Sequence, residues 1–180
     1  MSAQPETNFN AIAKLIDASV NQILQKDILP GKINLEFNSS GEYSVFKNIM
    51  VLSLLKRNKK VEMNNKELNT LGYSIQNAKV SYNDIQKNGI FGGYSVSRSV
   101  ALNGNYFITV NGEIKDTGKI ELVKTDTVDY DELKNLENAA YPFTHAKIPS
   151  IPFFSSIWEP IIALGTVAVT IFLFFTVRSN

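Results

Sequence analysis

From Ile161 to Val177 the chain carries no charged side chain, and only Arg178, Ser179 and Asn180 follow. A helix this apolar is costly to leave in water. At the helical rise it reaches roughly 25 Å, and Ile157 with Trp158 extends it toward the hydrocarbon thickness of about 30 Å. The stretch therefore predicts a transmembrane helix over residues 157–178. A buried core helix is the competing reading, which length and terminal position disfavour. Pro160 suits the first helical turn and Glu159 the positive end of the helix dipole. Trp158, with Phe153 and Phe154 before it, would mark the membrane interface, and Arg178 would close the far end. Trp158, Glu159, Pro160 and Arg178 are thus the candidate anchor residues.

Two orientations fit these residues. Arg178 beyond the span puts the short tail in the cytoplasm by the positive-inside rule, which leaves the preceding domain outside, in the periplasm. The opening MSAQPETNF has no apolar stretch to drive export, yet Ser2-Ala3-Gln4 resembles the remnant of a small-residue cleavage site. An extracytoplasmic domain is the expectation, and a tail-anchored cytoplasmic domain the alternative.

The remaining 150 or so residues have the length of one domain with one core. A balance of 18 basic and 17 acidic side chains gives no field that would collect nucleic acid or an anionic surface, so no nucleic-acid partner is expected. With no cysteine, disulfides, thiolate nucleophiles and cysteine-ligated metals are excluded.

After a polar lead over residues 1–8, Phe9, Ile12, Ala13, Ile16, Val20, Ile23 and Leu24 recur at three- and four-residue spacing and predict an amphipathic helix. Thr7 or Asn8 would cap it and Pro30-Gly31 would stop it. Ile33, Leu35 and Phe37 alternate with Asn34 and Glu36 as in a half-buried strand, and Ser39-Ser40-Gly41 reads as a turn. Val45 to Leu55 is apolar on nearly every side, which predicts a second helix, the more buried of the two. A short strand at Val61–Met63, a short helix at Asn65–Leu71 ended by Gly72, and a strand through Val80 and Tyr82 follow. Tyr94 to Val110 reads as two strands joined at Asn103-Gly104; Asn111-Gly112 is a second hairpin signal, and Ile120–Val128 a further strand. Acids, prolines and aromatics over residues 129–156 predict a linker or extended arm. The fold class expected is a mixed α/β, α+β single domain over residues 9–128 with a C-terminal transmembrane helix.

Several motifs invite chemistry. Asp116-Thr117-Gly118 matches the aspartic-protease triplet, but it lies between Lys115 and Lys119 with no apolar shell, and a turn explains it. Asn88-Gly89-Ile90-Phe91-Gly92-Gly93 fits no phosphate-loop spacing and reads as a connection allowing close backbone approach. Asp126, Asp129, Asp131 and Glu132 have calcium-type oxygens without the EF-hand spacing. Lys56, Arg57, Lys59 and Lys60 suit a helix C-terminus better than a phosphate. His145, the only histidine, has no partner marked by the sequence. No catalytic, metal or cofactor-binding residue is assigned, and no cofactor is expected.

The helix over Phe9–Leu24, the strand KINLEF, the helix SVFKNIMVLSLLKRN and the late strands around SVSRSVALNGNYFITVNGEIKDTGKIEL resemble, in their order across residues 8–128, exported bacterial α/β domains of the curli-secretion, flagellar outer-membrane and penicillin-binding-protein-activator lipoproteins. The resemblance implies a binding or assembly module anchored by an N-terminal lipidated cysteine. This chain has no cysteine and carries the C-terminal apolar stretch instead. The expectation is a noncatalytic, single-pass module that docks a protein or envelope component near the bilayer; a membrane-bound enzyme or a small subunit of a larger membrane complex is the alternative. The oligomeric state is left open.

Overall fold

A computed structural model describes residues 5–63, 65, 69–89, 92–151, 161, 164, 166 and 167. The chain divides into two compact units, Met1–Ile148 and Pro149–Asn180. The first is an α+β domain built on a five-stranded mixed sheet. In the second, the described Ile161, Leu164 and Val167 are exposed helical positions. Among the described residues no helix is long and apolar enough to cross a membrane, and nearly all of the predicted span, including Trp158, Glu159, Pro160 and Arg178, lies outside them.

Helix α1 (Asn8–Leu24) begins where expected, with the Thr7 hydroxyl accepting from the Asn10 amide. It stops well before Pro30-Gly31, since Asp27 turns left-handed at φ 52°. Strand β1 (Lys32–Phe37) follows, then a 3-10 turn (Gly41–Tyr43), α2 (Phe46–Lys56) and β2 (Lys60–Glu62). Because β2 returns parallel to β1, this segment is a crossover with α2 as its connection. Strand β3 (Thr70–Lys87) runs parallel to the other side of β1, and β4 (Tyr94–Val110) and β5 (Glu113–Asp129) complete an antiparallel meander in the order β2-β1-β3-β4-β5.

Two local expectations are corrected. Thr70 and Leu71 begin β3 instead of ending a helix, because they pair with Asn34 and Leu35. Asn34 is fully buried, its amide nitrogen donating to the Thr70 hydroxyl. Tyr94–Val110 is one strand; Asn103-Gly104 does not turn but lies opposite a bulge in β3 between Ile75 and Asn77. A Cβ on Gly104 would sit 2.2 Å from the Ser74 carbonyl oxygen, so the glycine admits a close backbone rather than a reversal. The true reversal is Asn111-Gly112, at φ 52° and 80°, as a two-residue hairpin requires.

One sheet face is covered. Val96, Val100, Leu102 and Ile108 of β4 alternate inward and meet Ala11, Ile12, Ile16 and Val20 of α1 in the core. Where composition predicts an arm, Leu133, Leu136 and Phe143 are buried against that core, in a segment with 3-10 turns at Tyr130–Glu132 and Pro142–Thr144 and one turn of helix, α3 (Leu133–Leu136).

Candidate functional site

The second helix departs most from expectation. Its sequence is apolar on nearly every side, a pattern close to that of fully buried helices. Yet α2 buries only Phe46, Met50, Ser53 and Leu54, whereas α1 buries eight residues. Leu52 and Leu55 remain 56% and 49% exposed, with Ile49 and Val51 half-buried beside them. At the helical repeat of 100° per residue, Val51, Leu55, Leu52 and Ile49 form one outward arc interrupted by Asn48 and Lys56.

Between this arc and α1 lies an open groove of about 750 Å³. Ile49 and Leu52 line it from α2, and Ala13 and Lys14 from α1. Its lining also includes residues of two charged clusters. In one, Asp17 accepts from Arg57 Nη1 at 2.7 Å and Nη2 at 2.9 Å, and from the Ser53 hydroxyl at 2.6 Å. The Arg57 guanidinium, helped by Ser53, holds the Asp17 carboxyl down at about 2. In the other, Glu6 lies 2.7 Å from Lys14 and pairs with Lys124. Burial raises the Glu6 pKa, but the two ammonium groups together outweigh it and the net shift is downward. The groove thus sets paired ions beside an apolar wall.

A polar knot closes the domain near the start of α1. Arg98, fully buried, donates to both Asp126 oxygens at 2.8 and 2.6 Å, to the Glu6 carbonyl and to Asn8 Oδ1. Asn8 in turn donates to the Tyr82 hydroxyl and to the Thr144 carbonyl. Asp126 is pulled below its ordinary range by Arg98. The inward parity of Val96 and Val100 was the signal that could have found Arg98.

The remaining sequence candidates are dispersed. Asp116 is in β5, not a turn; it pairs with Lys26 at 2.6 Å and accepts from the Tyr106 hydroxyl at 2.9 Å. Gly118 lets the Tyr106 ring lie there, since a Cβ would meet it at 2.6 Å. Asp126 points into the knot, and Asp131 and Glu132 sit in the 3-10 turn after β5; among the described residues no group of acidic or histidine side chains could hold a metal. His145 is near Glu137 at 3.4 Å and the Asn138 carbonyl at 3.0 Å. Arg57 and Lys59 are engaged, Lys59 by the Leu29 carbonyl. In the β3–β4 connection Gly89 is left-handed and Gly92 packs against the Asn88 carbonyl, the close approach expected; Ile90 and Phe91 lie outside the described residues.

No protein-family profile matches the chain, and no curated protein does. Among solved structures, a minor lipoprotein from Acinetobacter baumannii is similar at a TM-score of 0.35 and 12% identity, covering 56% of this chain and 67% of that one. The rare lipoprotein B from Shewanella oneidensis is similar at a TM-score of 0.36 and 10% identity, covering 81% and 93%. Both bear the name lipoprotein, as do the bacterial domains resembled in element order; neither is a curli-secretion, flagellar or penicillin-binding-protein-activator protein by name. Likeness at this level transfers no function.

Proposed function

We propose that this chain is a noncatalytic docking module, held at a membrane by its C-terminal apolar stretch, whose α2 outer face and adjoining groove receive a helix of a protein partner. One observation carries the reading: α2 is apolar on nearly every side but packed on one, with Leu52 and Leu55 left to solvent. An isolated exposed leucine is ordinary, whereas a helical arc of four apolar residues beside a groove is the receptor side of helix-in-groove recognition. The tether rests on the uncharged run Ile161–Val177 and on Arg178 after it. An extracytoplasmic placement follows the positive-inside reading, with the cytoplasmic tail-anchored placement as its alternative.

A photoreactive residue in place of Leu52, in the full chain expressed in cells, tests the docking face. A discrete protein adduct from position 52 and none from Lys79 on β3 is the expected result. Adducts to lipid, or equal yield at both positions, would remove this face as a protein-docking site. The tether is tested separately. The chain should float with vesicles after an alkaline carbonate wash, and protease added outside spheroplasts should digest the domain; a chain released by carbonate is not a membrane span.

A further inference from the structure

Strand β5 pairs with β4 along its whole length, and among the described residues nothing pairs with its other side. A long free edge is a template for another strand unless proline, a bulge or charged side chains blunt it. β5 contains no proline, and the register shift against β4 falls only near the hairpin tip, between Ile108 and Thr109. Its charges are instead of both signs, and four of its eight are symmetrically placed. About Ile120, Lys119 and Glu121 lie one step to either side, and Asp116 and Lys124 four steps to either side.

We propose that β5 of one copy pairs antiparallel with β5 of a second copy, centred on Ile120, so that Lys119 faces Glu121 and Asp116 faces Lys124 across a two-fold axis. Each contact then occurs twice, because an isologous interface repeats every pair. Lys119 and Glu121 alternate to the sheet face away from α1, as Gly118 and Ile120 face Tyr106 and the core. Among the described residues neither makes an ion pair, so their charges remain available to a second copy. Asp116 and Lys124 are paired within the chain to Lys26 and Glu6, and the second copy extends those pairs into alternating rows. The arrangement selects its own register. A slip that centres the pair on Lys119 or Glu121 sets that residue against its own copy, and the latter also sets Glu113 against Asp129. Residues 113–127 of each copy take part, a ladder roughly 50 Å long. The docking proposal is independent of this one, since it concerns α2.

The full-length chain in nonionic detergent, measured by light scattering across concentration, gives the test. Lys119→Glu should weaken dimerisation about tenfold, and Lys119→Glu with Glu121→Lys should restore it. Because the chain has no cysteine, a mixture of Lys119→Cys and Glu121→Cys proteins can be joined by a short thiol cross-linker. The mixture should cross-link faster than either protein alone. A chain monomeric at every concentration, a dimer indifferent to Lys119→Glu, or equal cross-linking in all three samples would overturn the proposal; indifference to the swap would be the sign of association through the tail.

Discussion

Arg98 and Asp126 face each other on neighbouring strands, two parallel hydrogen bonds joining a guanidinium 1% exposed to a carboxylate 30% exposed. Removing one partner leaves a charge buried without compensation, which costs far more than the pair is worth. Asp126→Asn should lower unfolding free energy by about 3 kcal/mol, read by urea denaturation. A change under half a kilocalorie would mean that the Glu6 carbonyl and Asn8 suffice to hold Arg98.

The two faces of α2 should respond oppositely. Met50→Ala opens the core and should cost about 2–5 kcal/mol. Leu52→Ser on the outer arc should change stability by less than about 0.5 kcal/mol. Thermal melts of the two variants side by side check this.

Acid should strain the Asp17–Arg57 pair. The Asp17 pKa falls from 3.8 unfolded to about 2 folded. A group depressed on folding stabilises above its unfolded pKa, and that stabilisation is lost as pH falls through the folded value. The window is therefore about pH 4 down to 2. With Asp17 44% exposed, solvent screening limits the effect to under about 1 kcal/mol. Denaturation midpoints followed with pH should show this increment in the natural chain and lose it in Asp17→Asn.

Gly104→Ala should destabilise by about 1–3 kcal/mol, because its Cβ would collide with backbone at Ser74, which cannot rotate away. Asn103→Ala beside it, on the open face, should be nearly neutral. Equal small effects at both positions would restore the turn reading of this dipeptide.

These contrasts mark how far local pattern reaches. The 3.6-residue spacing of α1, the crossover elements and the Asn111-Gly112 reversal are written in neighbouring residues, so they are legible. Asn103-Gly104 carries the same letters as a turn, but what decides it is a bulge in β3 some thirty positions away. Likewise Tyr130 to Phe143 looks loose in composition because its aromatics are spent on distant rings, Phe143 packing at a tilt against Phe46 and Tyr43. The docking arc was half visible: the apolar character of α2 is in the sequence, but which side stays uncovered depends on what packs against it.

The Asn8 bond to the Thr144 carbonyl has a mechanical side. It stitches the first turn of α1 to the 3-10 turn at Pro142–Thr144, with Arg98 as the rivet beneath. A pull on the chain beyond Ile148 would meet this clasp, at Thr144, before it reached the end of β5. On the proposed tether, the clasp would take tension ahead of the sheet and of α2.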